Sequence, residues 1–293
     1  MINRMAAANL PSTVPAFLRS AQALDTLEYL GPEPDRWKNR AEDELNSTQS
    51  PDHFMDMEWA VYGEVPCAAG SHGCPASGKM LPTRRYDFIR ALAKAQPAHP
   101  DLQLAPEKVG LQPWQVEEVY QRLKADLREY RKLQAANANT APVETAILYD
   151  AGWLGHYVAD GSQPLHATIQ FNGWTGPNPN GYTTDHKIHS EFEAVYVTAN
   201  VSRAEVNPLV AASTPKVLND EWLDYLGYLQ HANDQVEPLY KLEKTGAFTG
   251  AGTPAGKTFV DERLAAGAIE LRDMIYTAWV RSGDPVQEYH GAQ

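Results

Sequence analysis

The chain has few cysteines, no excess of positive charge and no long apolar run. Its 293 residues include two cysteines, and 37 acidic residues outnumber 25 basic ones, for a formal net charge of −12. A nucleic-acid binder that relies on a basic surface is disfavoured, because that surface is what releases counterions. Metal ions are the obvious substitute for neutralising a polyanion. An integral membrane protein is excluded, because no apolar run approaches the roughly 18 to 20 residues of a spanning helix.

The two cysteines lie close together in a glycine-rich segment. Cys67 and Cys74 flank a short stretch that includes His72. Two thiols do not complete a structural zinc site, and one loop supplying three ligands without a fourth is a weak metal site. A local disulfide is the preferred interpretation for an exported protein, and free thiols are the interpretation for a protein that stays inside the cell.

Apolar residues at helical spacing dominate the sequence, and no segment shows strong strand alternation. The hydrophobic content of 43% is typical of a globular chain. We predict one all-α domain over residues 1–293, a helical bundle with long loops. The predicted helices cover residues 14–30, 84–95, 113–134, 142–159, 186–198, 221–242 and 260–281. The predicted loops 171–184 and 245–257 are long, and long loops in a compact domain tend to be functional.

Histidines and acidic residues recur at helical spacing in two segments. His156 and Asp160 are four residues apart, as are His189 and Glu193, so each pair projects from one helix face. His166 follows the proline that ends the first of these helices and can turn back toward the helix end. Imidazole nitrogens with carboxylate oxygens and no thiolate are the ligand set of catalytic zinc. Pairs of this kind on two helices are a common way for helical domains to build multinuclear sites.

An alternative interpretation is that His156 and Asp160 form a surface pair and that His189 caps its helix. Apolar residues surround His156 in the sequence, however, and a buried aspartate needs a cation or a strong hydrogen-bond donor. The sequence therefore favours the metal site. Histidines outside the two segments, such as His99 and His290, are expected to be dispensable.

The segment 156–166, His-Tyr-Val-Ala-Asp-Gly-Ser-Gln-Pro-Leu-His, resembles the central metal motif of a known superfamily. This is the superfamily of zinc-dependent phospholipases C and single-strand nucleases of the fungal P-one type. The segment 189–193 is similar to its next ligand pair, and Asp-His-Phe-Met-Asp at 52–56 is similar to its His-Phe/Tyr-x-Asp segment. The resemblance covers nearly the whole chain and is weakest over 67–80 and 209–258. Glu193, where fungal nucleases usually carry Asp, favours the phospholipase branch.

The resemblance implies an all-α fold around a multinuclear zinc site. The first zinc would be held by Asp35, His53, His156 and Asp160. The second zinc would be held more openly by His166, His189 and Glu193. Asp43 is a poorer alternative to Asp35. His186 could orient a ligand, but a solvated position is the expected one.

The same resemblance implies a third zinc, which Asp160 would bridge to the first. Its other ligands in the family are the mature N-terminal Trp and a His shortly after it, and this sequence has neither. We expect the start to be internal to a longer gene, whose upstream part would carry the export signal of a secreted or periplasmic protein. The alternative is a protein that works with an incomplete cluster of two zinc ions.

The activity that the resemblance implies is hydrolysis of phosphodiesters by a zinc-activated hydroxide. Asp160 would serve as the bridging ligand, and Asp35 as a ligand that also orients the attacking water. The expected substrate is single-stranded nucleic acid or a phospholipid, and the protein is expected to be a monomer. The alternative is a secreted all-α metal-binding protein without turnover. Aromatic residues that would stack on a base, cover a headgroup or simply anchor the core and loops are Phe54, Trp153, Phe171, Trp174 and Tyr182.

Overall fold

A computed structural model describes residues 1–286, and helices make up most of this part of the chain. Residues 287–293, which include His290, lie outside the described residues. The α-helices of the N-terminal half are α1 (Ile2–Ala8), α2 (Ala21–Leu30), α3 (Glu33–Trp37), α4 (Asp43–Gln49), α5 (Met57–Ala60), α6 (Arg85–Ala95), α7 (Pro106–Val109) and α8 (Gln112–Ala135). Those of the C-terminal half are α9 (Ala141–Ser162), α10 (Ile188–Ser190), α11 (Val197–Asn200), α12 (Arg203–Ala212), α13 (Glu221–Asp234), α14 (Val236–Lys244) and α15 (Pro254–Arg281). The predicted all-α single-domain class is confirmed.

Helix α9 lies at the centre of the bundle. It packs against α8, α15 and α2, and the main apolar core fills the space between them. A second apolar cluster includes Leu165, just after α9. A third lies between α5, α6 and the start of α8. The C-terminal half of α9 belongs to the main core, and the second cluster begins just after the helix ends. In the described residues, no helix combines the length and apolar character needed to cross a bilayer.

Three helices are longer than predicted. Helix α8 gains one residue at each end, and α9 continues three residues past the predicted end, through Asp160 to Ser162. Helix α15 begins at Pro254, because the hydroxyl of Thr253 accepts a hydrogen bond from the Gly256 amide and caps the first turn. The predicted loop 245–257 is correspondingly shorter.

The predicted helix over 14–30 is wrong in its first half. A 3₁₀ turn covers Ala16–Arg19, and α2 begins after Ser20. The reason is local: the hydroxyl of Ser20 accepts a hydrogen bond from the amide of Ala23, 3.1 Å away, which starts a new helix.

The predicted helix over 221–242 is two helices, α13 and α14, joined at Gln235. Pro238 accounts for the break. Its ring nitrogen carries no hydrogen and cannot donate to the carbonyl four residues earlier, so one helix cannot run through the junction.

A two-stranded hairpin that the sequence did not predict precedes α6. Val65–Pro66 (β1) pairs antiparallel with Lys79–Met80 (β2), and a disulfide joins Cys67 to Cys74 in the connecting loop. The loop is fastened to the start of α13, where Nε2 of His72 lies 2.9 Å from a carboxylate oxygen of Asp220. Of the two alternatives for the cysteines, the structure contains the disulfide.

Candidate metal centre

The first group of candidate ligands assembles from three parts of the chain. Helix α9 supplies His156 and Asp160, one turn apart on a single face. A 3₁₀ helix, Ser50–His53, ends at His53, and α3 supplies Asp35. All four predicted residues are brought together, although 125 positions separate the first from the last in the numbering.

The ligand atoms of this first group converge tightly. Nδ1 of His53 lies 2.9 Å from Nε2 of His156 and 2.9 Å from Oδ2 of Asp160. Oδ2 of Asp160 is also 3.3 Å from Nε2 of His156. Oδ1 of Asp35 is 3.9 Å from both histidine nitrogens, and its side chain is 52% exposed. Three buried groups thus face a more exposed carboxylate.

The second group combines His166, which precedes the predicted loop 171–184, with His189 and Glu193, which follow it. Oε2 of Glu193 is 3.1 Å from Nε2 of His166 and 3.1 Å from Nε2 of His189. His189 lies in α10, whereas Glu193 lies in a π-helical turn, Glu191–Tyr196, that continues into α11. The helix predicted over 186–198 is present over 188–200, but its middle is π-helical, and π-helical turns are frequent at functional sites.

Backbone carbonyls fix which nitrogen of His156, His166 and His189 faces the centre. Nδ1 of His156 donates to the carbonyl of Gly31 at 2.7 Å, and Nδ1 of His166 donates to the carbonyl of His53 at 2.8 Å. Nδ1 of His189 donates to the carbonyl of Phe171 at 3.1 Å. With the proton on Nδ1, each Nε2 presents a lone pair, and carbonyl partners of this kind are typical of metal-bound histidine.

The carboxylates in both groups favour bound positive charge, as the pKa shifts of their neighbours indicate. Burial alone would lower the pKa of His166, but the carboxylates of Asp160 and Glu193 outweigh it and raise that pKa to about 9. Burial would raise the pKa of Asp160, yet His156 and His166 hold it well below its usual range. The pKa of Glu193 is likewise held low, against burial, by hydrogen bonds with His166 and His189. Protons thus take the place that a cation would fill.

The donor set fits a divalent cation. Each group offers nitrogen and oxygen atoms within 4.8 Å of one another, in the combinations Asp35–His53–His156 and His166–His189–Glu193. Neutral imidazole with carboxylate is the ligand chemistry of catalytic zinc. Without a cation, Nε2 of His166 and of His189 must carry a proton to hydrogen-bond Glu193, and a bound cation would take the place of those protons. Asp160 adds a buried carboxylate to the first group, 3.8 Å from Nδ1 of His166 in the second.

Backbone hydrogen bonds tie the two groups together. The amide of Met55 donates to the carbonyl of His166 at 2.9 Å, next to the contact between the His166 ring and the His53 carbonyl. The amide of Met57 donates to the carbonyl of Ala167 at 3.4 Å. The segments that carry His53 and His166 therefore cannot move independently.

Two supporting residues, Gln163 and Glu58, were not predicted as site residues from the sequence. Gln163 accepts a hydrogen bond from the Leu165 amide at 2.6 Å and donates to Oε2 of Glu193 at 3.1 Å, so it shapes the turn and orients a ligand. Glu58 accepts hydrogen bonds from the Thr168 hydroxyl and the Ile169 amide just after His166. A signal for Gln163 was present, since it lies inside the 156–166 motif, but nothing local identified Glu58.

A cavity of about 550 Å³ opens beside both groups. Its lining is mainly apolar, and two lysines and two acidic residues, Asp56 and Glu107, lie on its wall. Other side chains on its wall include Lys38, His53, Phe54, Trp59, His166, Phe171 and His189. Such a cavity, largely apolar with a few converging polar groups, has the general character of a small-molecule site.

The other residues predicted from the sequence are surface residues, loop anchors or cavity-lining residues. Asp43 lies exposed at the start of α4, and His186 is exposed with Nδ1 donating to the Asn172 carbonyl at 2.7 Å. Trp174 and Tyr182 pack against Tyr240 and anchor the loop. Of the other predicted aromatic residues, Phe54 and Phe171 line the cavity beside the metal groups, whereas Trp153 lines a different one.

Helices α9 and α10, the π-turn and the segments around Asp35 and His53 therefore build two adjoining ligand groups on one cavity. The activity that the sequence resemblance implies, zinc-dependent hydrolysis of phosphodiesters, stays a prediction. Comparison of the chain with protein-family models, with curated proteins and with solved structures found no match.

Proposed function

We propose that the protein is a zinc-dependent hydrolase of phosphodiesters. Zinc would be held by Asp35, His53, His156 and Asp160 in the first group and by His166, His189 and Glu193 in the second. The proposal rests chiefly on one observation: a single oxygen of Glu193 is 3.1 Å from the lone-pair nitrogens of two histidines, directly beside the first group. A divalent cation would satisfy all three groups at once and would replace the protons that otherwise hold the histidines against this carboxylate.

Bound zinc supplies a Lewis acid for the phosphoryl oxygens and lowers the pKa of water toward neutrality. The side chains supply the remaining chemistry. Lys38, whose Nζ lies 2.7 Å from Oδ1 of Asp35, brings a cation to the cavity wall, where a phosphate oxygen can be bound. Oδ2 of Asp35 is free to accept a proton from an attacking water. The apolar walls at Phe54 and Phe171 exclude bulk solvent, which strengthens these interactions.

The proposal uses two metals. Residues 1–286 bring together two groups of candidate ligands, one for each metal. The choice between single-stranded nucleic acid and phospholipid as substrate is left to experiment, because a largely apolar cavity beside the metal groups suits either.

The decisive experiment measures zinc per chain by elemental analysis, together with hydrolysis of bis(p-nitrophenyl) phosphate. We expect two zinc ions and turnover that a chelator abolishes and added zinc restores. Denatured DNA, RNA and phosphatidylcholine vesicles then identify the substrate. His189→Ala tests the site, and His231→Ala, an exposed histidine on α13, is the matched control.

Two outcomes would end the proposal. One is protein that carries no zinc and melts at the same temperature with and without chelator. The other is zinc-loaded protein that hydrolyses none of the four substrates, which supports the alternative of a metal-binding protein without turnover.

A further inference from the structure

A second cavity lies behind the segment that carries His53. Its volume is about 250 Å³, and Trp37 and Asp52 line it, whereas their neighbours Lys38 and His53 line the metal-site cavity. Consecutive residues therefore face two different cavities, and the backbone at residues 37–38 and 52–53 forms part of the wall between them. Nothing in the proposed hydrolysis uses this second cavity.

Asp52 is the unexplained group in this cavity. It is 2% exposed, and within residues 1–286 its Oδ1 atom is buried without a hydrogen-bond partner. The nearest cation is the guanidinium of Arg85, whose Nη1 is 3.8 Å from Oδ1, too far for a hydrogen bond. A buried carboxylate without donors is costly, and such exceptions call for a partner that the protein itself does not supply.

The aromatic wall of the cavity suits a planar ligand. The rings of Trp37 and Trp153 lie 5.0 Å apart, edge to face, and Tyr149 contacts the outer side of Trp153 at 5.6 Å. Nε1 of Trp153 is also buried without a partner in the described part of the chain. The site thus combines aromatic faces with an unsatisfied acceptor and an unsatisfied donor.

The charges of the wall favour a neutral ligand. Arg85 and Arg122 face Asp52 and Glu118, so the four groups balance. Arg85 is already engaged, since it donates to Oε1 of Gln115 at 2.8 Å. The wall offers no net positive charge to bind an inorganic anion. An uncharged ring with polar edges needs no such charge and can hydrogen-bond the unsatisfied groups.

We propose that this cavity is a nucleobase-binding site. Guanine fits its chemistry best, because adjacent N–H groups on its pairing edge can donate to the Asp52 carboxylate while its face packs on an indole. Recognition by pairing-edge hydrogen bonds plus aromatic stacking is how proteins bind unpaired bases. The base site itself is independent of the metals. Its role in holding a single strand whose neighbouring phosphodiester reaches the metal-site cavity rests on the proposed function.

The test measures binding of guanosine, uridine and inorganic phosphate to the zinc-loaded protein by calorimetry. We expect guanosine to bind and Asp52→Asn to weaken it at least about tenfold, the size of effect that a lost bidentate base contact produces. Asp87→Asn, an acidic residue on α6 that pairs with Arg90, is the matched control and should leave binding unchanged. Because Asp52→Asn alters a buried residue, Trp37→Leu provides a second variant, also expected to weaken guanosine binding. Thermal melting checks that both variants are folded.

Three results would overturn the base site. They are no guanosine binding, phosphate binding as tightly as guanosine, or guanosine binding that Asp52→Asn and Trp37→Leu leave intact but His189→Ala weakens. The last result would place the nucleoside on the metal groups. Failure of the proposed function looks different: guanosine still binds, with the expected loss in Asp52→Asn, while the same sample fails to hydrolyse bis(p-nitrophenyl) phosphate.

Discussion

The two ligand groups are built in contrasting ways. The first stands on α9 and a short 3₁₀ helix, with His53, His156 and Asp160 largely buried and Asp35 at its open side. The second stands on a turn and a π-helical segment, with His166 largely buried but His189 and Glu193 partly exposed. A buried ligand on a regular helix costs stability when it is removed, whereas a partly exposed ligand can exchange with solvent and substrate. We therefore expect the first group to matter for folding as well as activity, and the second mainly for activity.

The largest effect is expected from Asp160→Asn, which acts on both groups at once. Its Oδ2 atom is 2.9 Å from Nδ1 of His53 in the first group and 3.8 Å from Nδ1 of His166 in the second. The amide carries no charge and is a poor zinc ligand, so hydrolysis should fall below detection and zinc content should drop. Elemental analysis checks this directly, and an unchanged zinc stoichiometry would refute the role of Asp160.

The contrast between the groups is tested by comparing His156→Ala with His189→Ala. Both should abolish turnover. His156→Ala should also lower the free energy of unfolding by about 3 kcal/mol, because it leaves a buried cavity and removes metal-linked folding energy. His189→Ala should cost much less stability, since its side chain is partly exposed. Denaturation in the presence of zinc measures both losses. Equal losses of stability would contradict the expected difference between the first and second ligand groups.

A subtler test is Gln163→Ala, which removes a hydrogen bond to the second group alone. Gln163 donates to Oε2 of Glu193 at 3.1 Å without being a ligand. Loss of such an orienting contact typically weakens metal affinity by about 10- to 100-fold. Competition titration with a chelator should show one weakened zinc and one unchanged zinc. Gln230→Ala, an exposed glutamine on α13, is the control and should alter neither.

The smallest effect concerns a buried acid that has no histidine partners. Glu270 on α15 is buried with Oε1 unpartnered in the described residues, and burial raises its pKa to about 7. The folded state therefore keeps a proton that the unfolded state loses above about pH 4.5, and stability falls as pH rises from there toward 7. Glu270→Gln should stabilise the protein by about 1–3 kcal/mol at pH 8 and hardly at pH 4. Melting curves at the two pH values check the sign, and a destabilisation at pH 8 would contradict it.

The candidate site was predictable to an unusual degree because its ligands repeat within short segments. The pairs His156–Asp160 and His189–Glu193 are four residues apart, and helical geometry brings such positions together whatever the rest of the fold does. The π-turn at Glu191–Tyr196 was not predictable, since one helical period resembles another in sequence. Glu58 was also missed, because its contact with Thr168 spans 110 residues and leaves no local pattern.

The sequence by itself determined the all-α class and the types of side chain available for a metal, because helical periodicity and ligand chemistry are local properties. Only the tertiary structure decided that Asp35 and His53 lie beside α9, and that Trp37, Asp52 and Trp153 enclose a second cavity. Those neighbours are far apart in the chain, and the packing of α3 and α8 against α9 brings them together.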